Sequence, residues 1–207
     1  MLDENRLVFL IADVSDKGAG AAIFMAVSKS IIRTRALMGG TPGKILNDAS
    51  NILMEDNDAG MFVTVFLCIL DLRTGEVKAC NAGHEPPVVL KKGDDGEGSF
   101  EVLEEEHGMP MALLPDMPFP EIEWQLHPGD RIFLRTDGVD EAQKEDGEML
   151  GQERMLEILN EHREEDDRRL CETIVEAVDR HVGEDPQFDD ITVLNLTIKS
   201  LKDYLNS

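Results

Sequence analysis

Three apolar runs in this chain each meet an aspartate at one end, and that repeated junction restricts the folds open to it. Residues Arg6 to Asp13 contain the nearly continuous apolar run LVFLIA, ending in Asp-Val-Ser, which predicts a strand buried on both faces whose end delivers Asp13. Arg131 to Arg135 runs into Thr136-Asp137-Gly138, and Asp189-Asp190 immediately precedes a third strand-like run, Ile191 to Ile198. Asp beside Gly or Ser is common in turns, so each aspartate taken alone reads as an ordinary turn residue. Taken together, with small or polar neighbours that let backbone approach a ligand, they predict strand ends converging on a metal cup. Hard oxygen ligands without nearby Cys or paired His select Mg²⁺ or Mn²⁺ over Zn²⁺.

The rest of the chain supplies the elements around that junction. Asp3-Glu4-Asn5 predicts a hairpin turn, and Ala22 to Met38 places Ile23, Phe24, Val27, Ile31 and Ile32 at helical spacing before the Gly39-Gly40 stop. Thr41-Pro42 pairs an N-cap with a first-turn proline and opens a second helix that runs to Glu55. Phe62 to Leu70, the Thr74-Gly75 turn, Val77 to Asn81 and Val88 to Leu90 predict a meander around the tight NAGHEPP segment, followed by a solvated loop, KKGDDGEGS. Glu121 to Leu126 leads through the His127-Pro128-Gly129-Asp130 turn into Arg131 to Arg135. Helices over Gln152 to Glu161 and Arg168 to His181 precede the last strand. Two strand groups, each with helices beside it, predict an α+β fold: a four-layer α-β-β-α sandwich of two mainly antiparallel sheets. We expect a single domain over residues 1–198 and a short tail, 199–207.

Composition narrows the function classes. The chain is 42% hydrophobic, too apolar for disorder, and its formal charge of -23 argues against nucleic acid as a ligand. Cys68, Cys80 and Cys171 are odd in number and lack CxxC spacing, so neither a disulfide framework nor a zinc site is expected, and a reducing cytoplasm fits. No apolar run approaches the ~20 residues needed to span a bilayer, so no membrane association is expected. Met25, Met38, Met54 and Met61 read as core filling.

The segments IADVSDKGAGAAIFMA (11–26), MFVTVF (61–66), NAGHEPPVVL (81–90), GDRIFLRTDGVDEA (129–142) and FDDITVL (188–194) resemble successive motifs of the SpoIIE/RsbU branch of the PPM, or type 2C, protein phosphatases. The likeness covers nearly the whole chain. It implies metal-dependent hydrolysis of phosphoserine or phosphothreonine by direct attack of water at a two-metal site. In that site Asp13 would bridge the ions, the Val14 carbonyl would reach one of them, and Asp137 and Asp189 would complete the other. Asp190, the second aspartate of FDDIT, is the alternative to Asp189, because alternation along a strand turns it elsewhere.

Related eukaryotic enzymes carry a His two residues after the bridging Asp, where this chain has Ser15. His84 stands where relatives place an acidic residue linked to a weaker metal. It reads either as a ligand or phosphate-facing group, or as a loop histidine holding its turn by hydrogen bonds. Gly18 reads either as backbone approach to substrate phosphate near a helix start or as a plain helix-entry glycine.

The family's GD-containing strand does not precede the Asp3 hairpin in this sequence. The expectation is therefore a fold lacking its first strand or strands, in a chain that binds one ion in preference to two and is weak or inactive as a phosphatase unless a longer chain supplies the rest, with a strand edge inviting pairing with a second copy. The resemblance further implies an upstream sensory or receiver domain and a phosphorylated STAS-type anti-sigma-factor antagonist as substrate. The rival is a pseudophosphatase that keeps the fold and binds a partner without turnover.

Overall fold

Four strands, the apolar β1 (Arg6–Val14) and β2 (Val63–Asp71) with the more polar β3 (Glu76–Ala82) and β6 (Glu121–Gln125), pair antiparallel in the order β1-β2-β3-β6. The computed structural model describes residues 1–55, 57–93, 98–183 and 189–201. A second antiparallel sheet runs β5-β4-β7-β8, from β4 (Val88–Leu90), β5 (Phe100–Val102), β7 (Arg131–Arg135) and β8 (Val193–Thr197). Chain contacts divide the molecule into two compact units. One is built on Met1–His84 and Glu104–Gln125, the other on Glu85–Leu103 and Leu126–Ser200.

Each unit buries its own sheet face under helices. In the first, Val63, Val65, Leu67 and Ile69 of β2 alternate onto one face and pack with Phe24 and Ile32 of helix α1 (Ala19–Leu37) and with Ile45, Leu46 and Leu53 of α2 (Pro42–Glu55). The second unit's core joins Leu90, Phe100 and Phe133 to Met155 and Leu159 of α4 (Gly151–Glu161) and to Leu170 and Ile174 of α5 (Asp167–Val182). Asp166 caps α5 by accepting the Arg169 N–H at 2.9 Å. A one-turn helix, α3 (Asp137–Asp140), follows β7 directly. Among the described residues no helix is long and apolar enough to cross a membrane.

Several expectations need correction. Within β1 only Ile11 is fully buried, because among the described residues β1 is an edge of its sheet and water reaches it from the side. The expected meander stops at NAGHEPP. The β4 strand pairs with β5 and β7 instead of β3, since Gly83 turns the chain at φ 69° and Pro86 and Pro87 offer no N–H to continue a ladder. The His127–Asp130 turn joins β6 of one sheet to β7 of the other. On α1 the buried line is Ala21, Phe24, Ser28, Ile32 and Ala36, while Ile23 (66% exposed) and Val27 (44%) face solvent. Ser28 tolerates burial because its Oγ donates to the Phe24 carbonyl at 2.7 Å. Met25, Met54 and Met61 pack against the first core, but Met38 is exposed at the helix end. The three residues of β5 and four of α3 are too short to show a period, and the sequence reading missed both. Part of KKGDDGEGS and most of the tail lie outside the described residues.

Leu67 is fully buried in the first core, so Leu67→Ala should cost about 2–5 kcal/mol, read as a lowered urea midpoint with an unchanged m-value.

Candidate active site

In the first unit, Asp13 is the penultimate residue of β1, opposite Thr64 of β2. Its Oδ1 accepts the Val14 N–H at 2.9 Å. Thr64 links two functional candidates: its Oγ1 donates to the Asp13 carbonyl at 3.4 Å and lies 2.8 Å from His84 Nδ1. The hydroxyl thus stands between the Asp13 carbonyl and the His84 ring, and the ring tautomer sets the direction of the shorter contact.

His84 is almost wholly buried, and its turn is closed from both ends. The His84 N–H donates to Asn81 Oδ1 at 2.7 Å and Asn81 Nδ2 donates to the His84 carbonyl at 2.9 Å. Asn81 Nδ2 also donates to Glu105 Oε1. Gly83 is required here, since at φ 69° an added Cβ would fall 2.8 Å from Pro110 Cδ. Burial pushes the Glu105 carboxyl above its ordinary range, against the opposing Asn81 hydrogen bond and His107. Gly18 takes φ 90° at the entry to α1, where its carbonyl accepts the Ala22 N–H at 3.0 Å. Ser15 Oγ accepts the Phe62 N–H at 3.0 Å.

In the second unit, Asp137 is the first residue of α3, not the last of a strand. Thr136 precedes it in extended conformation, yet its hydroxyl does not cap the helix. Instead Thr136 Oγ1 donates to the Asp190 carbonyl and accepts the Thr192 N–H, both at 3.0 Å, while its own N–H donates to the Thr192 carbonyl at 3.0 Å. Gly138 completes the junction, because a Cβ there would stand 2.5 Å from the Asp190 carbonyl oxygen. The backbones carrying Asp137 and Asp189 are thereby held against each other. Asp189 Oδ1 accepts the Asp190 N–H at 2.8 Å, and Asp190 itself is exposed.

Asp137 Oδ1 is buried, and among the described residues nothing donates a hydrogen bond to it. A buried carboxylate oxygen without a partner is costly, and a bound cation would relieve that cost, so Asp137 Oδ1 is chemically suited to a hard divalent ion. Among the described residues no group of three or more His, Cys, Asp or Glu side chains is gathered as a ready metal cage. The sequence reading missed Thr64, whose signal was only a polar residue inside an apolar strand. It also missed Arg135, a charge in alternation with the core residue Phe133 whose side chain is fully buried.

The model of the family described as Stage II sporulation protein E (SpoIIE) matches residues 3–199. Protein IcfG of Synechocystis sp. is 28% identical over 221 residues, covering 94% of this chain and 34% of that protein. The phosphoserine phosphatase RsbU of Bacillus subtilis is 28% identical over 160 residues, covering 77% of this chain and 46% of that protein. The chain thus spans about a third of one of these relatives and just under half of the other. The crystal structure of the RsbU and RsbW domains of Rv1364c from Mycobacterium tuberculosis superposes with a TM-score of 0.82 at 25% identity, covering 96% of this chain and 54% of that one. The two antiparallel sheets and their helices match the PP2C phosphatase fold.

The raised Glu105 carboxyl fixes a sign. The folded chain keeps a proton that the unfolded chain releases, so this group's stabilisation is full below the ordinary glutamate pKa and lost as pH rises through the raised value. Urea unfolding between about pH 4 and about pH 8 should therefore show a shallower fall in stability with rising pH for Glu105→Gln than for the parent.

Proposed function

Because this chain belongs to the SpoIIE family of PP2C-type phosphatases, we propose that it hydrolyses phosphoserine or phosphothreonine on a protein with the help of Mn²⁺ or Mg²⁺. Phosphatases of this family are metal-dependent. The oxygen ligands in this proposal are Asp13, the Val14 carbonyl, Asp137 and Asp189, with Asp190 as the alternative to Asp189. When bound, divalent ions supply charge neutralisation for the phosphoryl oxygens and acidify the attacking water.

The remaining roles belong to the chain itself. Thr136 and Gly138 hold Asp137 and the Asp189–Asp190 segment in register through hydrogen bonds and close backbone approach. Thr64 orients the His84 ring, which is proposed to face substrate phosphate, and Gly18 is proposed to let substrate approach the start of α1. The observation that carries the reading is the buried Asp137 Oδ1, an acceptor that among the described residues is met by no donor.

The proposed substrate is a phosphorylated STAS-type anti-sigma-factor antagonist in a cytoplasmic partner-switching pathway. The likeness to RsbU and to a chain that joins RsbU and RsbW domains supports that assignment. An upstream sensory or receiver domain and self-association through β1 belong to the same proposal.

Mn²⁺-dependent hydrolysis of p-nitrophenyl phosphate tests the activity. Asp13→Asn should lower the rate at least about a hundredfold, equivalent to roughly 3 kcal/mol of transition-state stabilisation, with an unchanged circular dichroism spectrum. Mn²⁺ binding by the parent chain without any turnover would sink the enzyme reading and leave a pseudophosphatase.

A further inference from the structure

The Asp137 carboxylate rides on a helix of only four residues, Asp137–Asp140. One turn of helix cannot hold itself, because too few hydrogen bonds offset the ordering of its backbone. Its placement has to come from side chains at its two ends. Thr136 secures the entry through Asp190 and Thr192. The exit is secured by Arg135, whose Nη2 and Nε donate to Asp140 Oδ2 at 2.6 and 3.2 Å.

Arg135 reaches further than that pair. Its Nη1 donates to the Pro86 carbonyl at 2.5 Å, and its Nη2 lies 3.4 Å from both Glu85 Oε2 and Gln152 Oε1. One guanidinium therefore ties the end of β7 to the approach to β4, the end of α3 and the first turn of α4. Its side chain is fully buried, although it lies on the same side of β7 as the core residue Phe133. An apolar side chain would fill this space without desolvating a charge. A fork of donors in fixed geometry does what an apolar side chain does not, since it sets direction as well as volume.

We propose that Arg135 is the positioning residue for Asp137, clamping Asp140 so that the turn between them presents the Asp137 carboxylate in a single orientation. The inference rests on reading Asp137 as a metal ligand. It predicts that metal affinity, and not only stability, depends on a side chain that does not itself bind metal.

Isothermal titration with Mn²⁺, run beside urea unfolding on the same preparations, tests it. Arg135→Lys and Asp140→Asn should each weaken Mn²⁺ binding about tenfold or more. The combined Arg135→Lys/Asp140→Asn variant should lose little beyond the larger single effect, because both residues act through one contact. Arg135→Met/Asp140→Leu replaces the buried pair with apolar side chains, which restores folding without restoring direction. It should be stable and still bind Mn²⁺ weakly.

Parent-like affinity in any folded member of this set overturns the proposal. Failure of every member to fold also overturns it, by making Arg135 a folding residue only. Asp137→Asn separates the two readings. If it leaves Mn²⁺ affinity unchanged, the ligand assignment fails. If it abolishes binding while the Arg135 variants bind normally, only the positioning role fails.

Discussion

A threonine hydroxyl ahead of a helix ordinarily caps it, and at Thr136 that hydroxyl is instead turned sideways to the segment that enters β8. The placement of Asp137 beside the Asp189–Asp190 segment depends on this choice. With donor and acceptor both engaged across the junction, the backbone at Gly138 closes on Asp190 to a distance that excludes any Cβ. Two acidic residues remote in sequence are thus brought onto adjoining backbone, although their mutual repulsion would otherwise drive them apart. Burial raises the Glu85 carboxyl, Arg135 opposes the rise, and Asp140, Asp137 and Glu141 add to it.

The first unit reaches a comparable result by a different route. Thr64 sits across the ladder from Asp13, so strand pairing alone fixes the spacing between its hydroxyl and the Asp13 carbonyl. The Asn81 side chain then closes the turn that delivers His84 to that hydroxyl. Both units use a threonine hydroxyl to join one candidate segment to another, and in each a glycine stands where an added Cβ would collide, Gly83 in the loop before His84 and Gly138 in α3.

Much of this was legible in the sequence, for reasons particular to each element. Val88–Leu90 and Arg131–Arg135 were expected with the bounds observed, because short apolar runs flanked by Pro, Gly or Asp leave little freedom at either end. Helix α1 was legible as a helix but not in its facing. Its apolar residues are spread widely around the axis, so periodicity alone could not say that Ile23 and Val27 would stay in water. Sheet membership of β4 was hidden as well, since nothing local records which partner a strand will meet. Asp13, Asp137 and Asp189 stood out because each follows or precedes an apolar run. Arg135 did not, because burial of a charge is decided by distant groups such as Pro86 and Asp140 that a local pattern cannot reveal.

The division of the chain between its units carries a consequence for biosynthesis. Neither unit is a continuous stretch: the first needs Glu104–Gln125 to add β6, and the second begins at Glu85 but receives β8 only at Val193–Thr197. A nascent chain emerging from the ribosome would hold β4 and β5 without β7 until Arg135 had been made, and β7 without its other neighbour, β8, until Thr197 had followed. Long-range closure of this kind is slow and leaves strand edges exposed meanwhile. Folding yield should accordingly respond to translation speed and to chaperone supply more than the stability of the finished molecule would suggest.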